Sequence, residues 1–439
     1  MSKGKRISRR QFLGLAAVSA AGALLASTQL EPTAGVWRRL LNRVSRELQL
    51  RTATETPNVP GQSNVFRVDG IPVPTWQTPF HEGVDALLEL MGRNGLKFYR
   101  TAATSTLGSP EGLIAADDVV LLKVNAQWKQ RGMTNTDVLR GLVQRIVAHP
   151  DGFRGEVVVA DNGQGQDYFS CANENNDDTP DHTQSMQAVV ERFRADLGAR
   201  ISIYNWRIIK AETVAEYDQG DEGDGYVLAG PYPLNYPKFT TEAGTHISLR
   251  HGVWDGSQYD HSRLKLINVP VLKAHLMFGA TGAIKNVIGC MSRYAGVDEV
   301  GGDTWVFHDA FTKAFNGLPA GLPGSLWALR FPTLNVLDAI YVSPLGNRSQ
   351  DATFEATPRQ GTLLAGIDPV ALDYYAAKHV LGAVQREVSC PRHTAESADP
   401  DRGSVFRQYI LFAQARLLEA GYTVRFGAEG VNLIQGTME

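Results

Sequence analysis

The chain has 439 residues, of which 43% are hydrophobic and 20% charged, and its formal net charge is -3. This composition excludes a disordered or fibrous protein, and the balance of charge predicts no nucleic-acid partner. Cys171, Cys290 and Cys390 stand far apart without a C-x-x-C pair, so neither an iron–sulfur cluster nor a zinc ribbon is expected from this chain alone. Outside the cytoplasm one disulfide could form, and the sequence does not indicate which pair.

The first thirty residues resemble a twin-arginine signal peptide. Arg9 and Arg10 close a basic stretch, and residues 12–26 are apolar but rich in Ala and Gly. This apolar segment is shorter than the roughly 20 residues that a membrane-spanning helix needs. The resemblance implies export of the folded protein by the twin-arginine translocase, to the periplasm or another extracytoplasmic site. An ordinary secretory signal is the alternative, and an uncleaved membrane anchor stays open because no clean A-x-A cleavage site follows.

Residues 31–84 predict a helix and a linker ahead of the main fold. Residues 36–50 place apolar side chains at helical spacing opposite four arginines, which predicts an amphipathic helix with a basic face. That face would lie in solvent or on an anionic membrane surface. Residues 57–79 are rich in proline and predict an extended tether.

Residues 85–390 predict an α/β core domain. Buried strands are predicted at 119–124, 156–160, 200–209, 264–272 and 333–342, and helices at 136–148, 183–197 and 369–381. Apolar strands that alternate with helices are typical of a mostly parallel sheet with helices on both faces. Residues 210–262 interrupt this pattern as an irregular insertion, and the Gly-rich residues 292–330 predict a lid or a partner-binding loop. Residues 391–439 predict a C-terminal helix at 402–420 and edge strands.

The densest polar signal spans residues 268–286. Lys273 and His275 come at the end of a predicted strand, and a Gly-rich turn with Gly279 and Gly282 leads to Lys285. Ligands of open α/β sheets bind at the carboxyl ends of the strands. Glycines there let backbone N–H groups approach an anion, and a lysine supplies a positive charge or, when desolvated, a nucleophile. The alternative is a simple turn with solvated lysines.

Other side chains are predicted at the same edge of the sheet. Lys123 and Asn125 follow one predicted strand, and Asp161 ends the next. Asp338 is predicted to end its strand in the same way, whereas Asp368, which precedes a proline, is predicted to cap a helix.

No strong metal motif is present. The histidines of the irregular segments, His246, His251, His261 and His308, lack the i, i+4 spacing of a zinc site. The acidic loop 218–225 has carboxylates that would suit calcium, but it lacks the terminal Glu of an EF-hand, which favours a solvated turn. The metal, if any, is unknown from the sequence.

Five segments resemble, in order, the domain-of-unknown-function 362 family. They are residues 120–125, 268–275, 281–286, 335–338 and 368–373, within about 117–385. One departure is Lys123-Val124-Asn125, where family members often have Lys-Pro-Asn. Members with a fused ferredoxin-like module bind iron–sulfur clusters, and this sequence shows no such module.

A weaker resemblance links His275 and Lys285 to a segment of nickel-pincer lactate racemases. There a histidine acts as acid and base, and a lysine ten residues later anchors the pyridinium cofactor. This resemblance implies a proton carrier at His275 and a cofactor anchor at Lys285. It also makes a nickel-pincer cofactor an alternative, although the other histidines of the racemases have no assignable match.

The sequence therefore predicts an exported enzyme that acts on a small anionic molecule by Lys/His acid–base chemistry. The reaction is open, with an isomerase or racemase and an oxidoreductase-associated enzyme as the options. The candidate catalytic residues are His275, Lys285, Lys273 and Asp161, and those for holding a cofactor are Lys285, Asn286, Gly279, Gly282, Lys123 and Asn125. A non-catalytic ligand-binding or assembly protein is the alternative, because binding and catalysis require the same residue types.

Overall fold

The computed structural model describes residues 52–53, 59–74, 80–297, 306–388 and 396–438. The predicted signal peptide (1–30), the predicted amphipathic helix (36–50) and Cys390 lie outside these residues. Cys171 and Cys290 are free thiols. In the part of the chain that is described, no helix is both long enough and apolar enough to cross a bilayer.

The strands and α-helices of the described residues are numbered here in chain order. The strands are β1 (Thr52–Ala53), β2 (Ser63–Asp69), β3 (Tyr99–Arg100), β4 (Gly108–Ser109), β5 (Val119–Lys123), β6 (Glu156–Asp161), β7 (Ile201–Asn205), β8 (Gly225–Leu228), β9 (Asn235–Thr240), β10 (His246–Ser248), β11 (Gly252–Trp254), β12 (Tyr259–Asp260), β13 (Leu264–Asn268), β14 (Val271–His275), β15 (Gly279–Thr281), β16 (Leu334–Ser343), β17 (Arg359–Gly366) and β18 (Val431–Thr437). The α-helices are α1 (Glu82–Arg93), α2 (Thr136–Val147), α3 (Met186–Leu197), α4 (Ala283–Asn286), α5 (Leu322–Leu329), α6 (Pro369–Ala376), α7 (Gly382–Glu387) and α8 (Val405–Glu419).

The main sheet has the strand order β1-β18-β2-β17-β16-β13-β5-β6-β7. The five strands from β16 to β7 are all parallel. Only β17 and the short β1 run antiparallel to their neighbours along this order. The predicted α/β fold with a mostly parallel sheet is therefore confirmed.

Two hydrophobic cores cover the two faces of this sheet. Along β5, Val119 and Leu121 point into one core, while Val120 and Leu122 point into the other. Successive side chains of a strand point to opposite faces, so a strand that is buried on both faces is a continuous apolar run. Helices α1 to α3 supply the core of one face and α4 to α8 that of the other. This confirms the predicted helices on both faces.

The predicted insertion contains a second sheet. Strands β8 to β12 pair antiparallel in sequence order within residues 225–260. Their apolar side chains, such as Tyr236, Phe239 and Ile247, join the core on the α4 to α8 side. The insertion thus extends the main core and does not form a separate unit.

Three elements differ from the sequence prediction. Ser63–Asp69, placed in the predicted tether, is strand β2 and lies inside the main sheet between β18 and β17. The single strand predicted at 264–272 is split at Pro270, because proline has no N–H for a sheet ladder, and β14 continues between β16 and the short β15. The end of the predicted loop 292–330 is the buried helix Leu322–Leu329, packed on α8.

Candidate functional site

A cavity lies at the carboxyl edge of the parallel strands, where ligands of open α/β sheets bind. The empty space in and around its mouth, open solvent included, is about 340 Å³. Six of the predicted site residues line it: Asn125, Asp161, Lys273, His275, Lys285 and Asn286. The cavity is also lined by Gln127, Trp128, Gln164, Thr281, Gly289 and Asn347, which the sequence did not single out. The structure thus brings together residues up to 222 positions apart (Asn125 to Asn347).

A buried ion pair forms the floor of the cavity. Lys123 Nζ lies 2.9 Å from Asp161 Oδ1, and neither side chain is more than 4% exposed. Asp161 Oδ2 accepts a hydrogen bond from the Ala126 N–H at 2.7 Å. The predicted residue Lys123 therefore lies behind the cavity wall and neutralises Asp161. Gly289 is required here, because a Cβ at this position would lie 1.9 Å from Asp161 Oδ1.

A chain of buried asparagines supports the cavity from below. Asn286 Nδ2 donates to Asn268 Oδ1 at 2.8 Å, and Asn268 Nδ2 donates to Asn335 Oδ1, also at 2.8 Å. Asn335 Nδ2 in turn donates to the Gly366 and Ile367 carbonyls. These side chains link α4 to β13, β16 and the end of β17. Asn286 is thus held by hydrogen bonds between protein groups, which fixes the position of α4.

Lys273 is a buried lysine of β14 that faces the cavity. Its ammonium donates to the Gly132 carbonyl. Burial, with the nearby charge of Lys285, lowers the pKa of Lys273 to about 7 against the opposing attraction of Asp161 and Asp338. Lys273 therefore exchanges a proton close to neutral pH, as a general acid or base requires.

Lys285 is the second buried lysine of the cavity, and it has a different environment. Its ammonium lies 5.8 Å from the ring centre of Phe278 and 5.5 Å from that of Phe311. Within the described residues it makes no hydrogen bond or ion pair. Burial lowers its pKa to about 8.

The short helix that carries Lys285 is held by Asp373 of α6. Asp373 Oδ1 and Oδ2 accept hydrogen bonds from the backbone N–H groups of Ala283 at 2.6 Å and Ile284 at 2.9 Å. A carboxylate at a helix N-terminus satisfies N–H groups that have no partner inside the helix. Burial raises the pKa of Asp373 to about 7 despite these hydrogen bonds. Asp373 is therefore a positioning residue for Lys285.

The ring of His275 has a defined orientation. Its Nδ1 accepts hydrogen bonds from the N–H groups of Met277 at 3.1 Å and Phe278 at 3.3 Å. A neutral imidazole whose Nδ1 is an acceptor carries its proton on Nε2. His275 is thus arranged to donate a hydrogen bond from Nε2. For Nε2 to accept a proton as a base, the neutral ring would have to carry its own proton on Nδ1. Nδ1 could then no longer accept the two backbone hydrogen bonds.

The two predicted ligand-binding glycines do not line the cavity. Gly279 has φ = 77°, and a Cβ there would lie 2.1 Å from the Ser397 carbonyl oxygen. At Gly282 a Cβ would lie 2.2 Å from Asp373 Oδ1. Both glycines thus permit close packing between chain segments. They would affect a ligand only indirectly, by positioning the segment that carries Lys285.

Two lining residues that the sequence did not predict carry signals of their own. Gln164 adopts φ = 46°, a left-handed conformation that is uncommon for a residue other than glycine and that clusters at functional sites. Thr281 pairs with Lys273 across the β14–β15 ladder, and its buried hydroxyl has no hydrogen-bond partner among the described residues. Thr281 lies in the 281–286 segment of the family resemblance, and the left-handed backbone of Gln164 is a property of the folded chain.

Other sequence predictions fall outside the cavity. Asp338 lies in the middle of β16, which continues to Ser343, and its carboxylate accepts the N–H of Asn135 at 3.0 Å and that of Ile340. Asp368 caps α6 as predicted, accepting the N–H groups of Val370 and Ala371.

The predicted histidines and the acidic loop form no metal centre in the structure. His261 interacts with Arg330, and Asp221 of the acidic loop accepts backbone N–H groups of its own turn. Across the described residues no group of three or more His, Cys, Asp or Glu side chains could hold a metal ion. The described side chains thus do not form the ligand set of a bare metal ion, and the nickel-pincer likeness stays a prediction.

Residues 262–378 match the model of the family described as "Domain of unknown function (DUF362)". This match confirms the predicted resemblance and shows a DUF362-like domain in the chain. The matched stretch contains Lys273, His275, Lys285 and Asn286, whereas the Lys123–Asp161 pair lies before it. No curated protein and no solved structure matches the chain.

Proposed function

We propose that the DUF362-like domain of this chain binds a small anionic molecule in the edge cavity and acts on it by proton transfer. One observation carries the proposal. Lys273 and Lys285 line the same cavity, and within the described residues neither forms an ion pair. The carboxylate of the cavity, Asp161, is already paired with Lys123. Two cations without a carboxylate partner favour a ligand that brings negative charge.

A carboxylate fits the other groups of the cavity. The Thr281 hydroxyl can donate a hydrogen bond, and the His275 ring lines the same cavity, which suits an oxygen-rich ligand. Together with the two lysines, these groups favour a compact organic acid or a phosphate of similar size.

Catalysis is supported by the protonation behaviour of the lysines. Proton transfer is most efficient when the pKa of the catalytic group is close to the working pH. The pKa of Lys273, at about 7, meets this requirement. We assign the proton transfer to Lys273 and the hydrogen-bond donation to His275, since both Nδ1 contacts of the ring are made by backbone N–H groups.

The alternative is a non-catalytic ligand-binding protein. The fixed ring of His275 favours it, because a hydrogen-bond donor is sufficient for binding. In that case the two lysines would only supply positive charge to the ligand at acidic and neutral pH, and their lowered pKa values would have no catalytic role.

The test is ligand-induced stabilisation of the full chain. We expect L-lactate, pyruvate or inorganic phosphate to raise the thermal midpoint at pH 6.5, where both lysines carry charge, and calorimetry to give one site. The variants Lys273→Met and Lys285→Met should lose this effect. Lys313→Met, which removes a lysine that is 63% exposed, is the matched control and should keep it. No stabilisation by any of the three anions, or equal stabilisation in all variants, would contradict the proposal.

Export completes the proposed function. The twin-arginine resemblance of residues 1–30 supports a route in which the protein folds before it leaves the cytoplasm. This route suits a site assembled from residues far apart in the chain, because the cavity exists only after folding. We place the working protein outside the cytoplasm, released or held by an uncleaved N-terminal anchor.

A further inference from the structure

Lys285 differs from the other two lysines of the site in what surrounds its nitrogen. Lys123 contacts Asp161 and the Val124 carbonyl, and Lys273 donates to the Gly132 carbonyl. Lys285 is only 6% exposed, and within the described residues its nitrogen meets no oxygen partner. A buried ammonium without an acceptor is costly. Such an arrangement points to a ligand or a reaction at this nitrogen.

The surroundings of Lys285 suit a nucleophilic amine. The aromatic rings of Phe278 and Phe311 surround its nitrogen, with ring centres 5.8 and 5.5 Å from Nζ. An apolar environment favours the neutral amine, whose lone pair is the nucleophile. With a pKa of about 8, roughly a tenth of the amine is neutral at pH 7 and most of it at pH 9.

We infer that Lys285 forms an imine with the carbonyl carbon of a small 2-oxo carboxylate, and this inference rests on the proposed anion-binding function. The lone pair of the neutral Nζ attacks the carbonyl carbon, and the carbonyl oxygen takes up a proton to give a carbinolamine. The hydroxyl then takes up a second proton and leaves as water, and the nitrogen loses both of its protons on the way to the imine, so the two protons lost by nitrogen balance the two gained by oxygen. No oxidant or reductant is needed, because carbon and nitrogen exchange only a C=O bond for a C=N bond.

The neighbouring groups match the two ends of such a substrate. Lys273 faces the same cavity and supplies the charge for the carboxylate, and Thr281, its partner across the ladder, offers a hydroxyl. His275 lines the same cavity, and two backbone N–H groups fix its ring through Nδ1. Asp373 keeps the helix of Lys285 in place through two N–H groups.

Borohydride trapping tests the inference. The full chain is incubated at pH 7, where Lys273 still carries charge and part of Lys285 is neutral, with pyruvate or glyoxylate and then with sodium borohydride, which reduces an imine to a stable secondary amine. We expect one adduct per chain by intact mass, located at Lys285 by peptide mapping. L-lactate, which has the carboxylate but no carbonyl, should bind and give no adduct. Lys285→Arg, which keeps the charge, and Lys285→Met should both abolish the adduct, whereas Lys313→Met should form it at the wild-type yield.

The outcomes separate this inference from the proposed function. An adduct at Lys285 that both Lys285 variants lose supports the imine. Stabilisation by lactate without an adduct from either 2-oxo acid overturns the imine and leaves anion binding intact. An adduct spread over surface lysines, or retained in folded Lys285→Arg, also overturns it. Loss of both lactate binding and the adduct in the wild-type chain overturns the two proposals together.

Discussion

Replacing Lys285 by methionine should stabilise the protein at neutral pH. An ordinary lysine has a pKa of 10.5, and burial lowers that of Lys285 to about 8. At about 1.4 kcal/mol for each tenfold change, this difference opposes folding by roughly 3 kcal/mol at pH 7. The attraction between the ammonium and the two rings, about 1 kcal/mol, offsets part of it. Methionine is apolar, unbranched and similar in length, so we expect a net gain of about 2 kcal/mol.

The sign of the pH dependence follows from the same pKa. The unfolded chain binds the Lys285 proton more tightly than the folded chain does. The penalty is therefore complete below about pH 8 and disappears as the pH rises to 10.5, so the wild-type protein gains stability from this group over that interval. The advantage of Lys285→Met should accordingly be largest at pH 7 and close to zero at pH 10.5.

Urea unfolding of the full chain at pH 7 and pH 10.5, followed by tryptophan fluorescence, measures both effects. The control is Lys313→Met, whose lysine is 63% exposed and should change the free energy of unfolding by no more than about 0.5 kcal/mol at either pH. Two results would refute the reasoning: a Lys285→Met protein that is less stable than wild type at pH 7, or a stability difference that is the same at both pH values. Either would mean that the ammonium has a stabilising partner when the protein is folded.

Four other predictions follow from the site and the N-terminus. Gly289→Ala should lower the free energy of unfolding by about 3 kcal/mol, because the methyl group separates a buried ion pair. The control is Gly403→Ala, since Gly403 has open space around it. Equal urea midpoints for the two variants would contradict the prediction. Asp373→Ala leaves two buried helix N–H groups unpaired, so it should cost about 2 kcal/mol and weaken lactate binding in calorimetry, and unchanged binding would exclude its positioning role. Lactate affinity should fall as the pH rises through about 7 and 8, because the two cavity lysines lose their charge there. The yield of borohydride-trapped pyruvate should instead rise as the pH passes about 8, because Lys285 becomes neutral. If the two quantities changed with pH in the same direction, they would depend on the same protonation state, and the prediction would be wrong. Replacing Arg9 and Arg10 together by lysine should retain the protein in the cytoplasmic fraction of an export-competent host, and normal export would exclude the twin-arginine route.

The fold class and half of the residues that line the cavity could be predicted from the sequence alone. Continuous apolar runs such as 119–122 are typical of strands buried on both faces, and in a parallel sheet such strands end at one common edge. Polar residues at the ends of these runs, Lys123, Asp161 and Lys273, were therefore predictable as neighbours without knowledge of any contact. Lys285 was predicted at the site from the 281–286 motif, but its apolar setting depends on Phe311, which lies 26 residues further along the chain.

Which of these side chains face the cavity, and what they contact, depends on how the chain folds. Lys123 and Asp161 both end strands, yet only Asp161 lines the cavity. Lys123 lies behind the cavity wall, where it forms an ion pair with Asp161. Asp373 reaches the helix of Lys285 from 90 residues further along the chain, and β2 enters the sheet from a proline-rich segment whose pairing partners are β17 and β18. Local periodicity specifies the type of an element, whereas strand order, side-chain direction and pKa depend on groups brought together by folding.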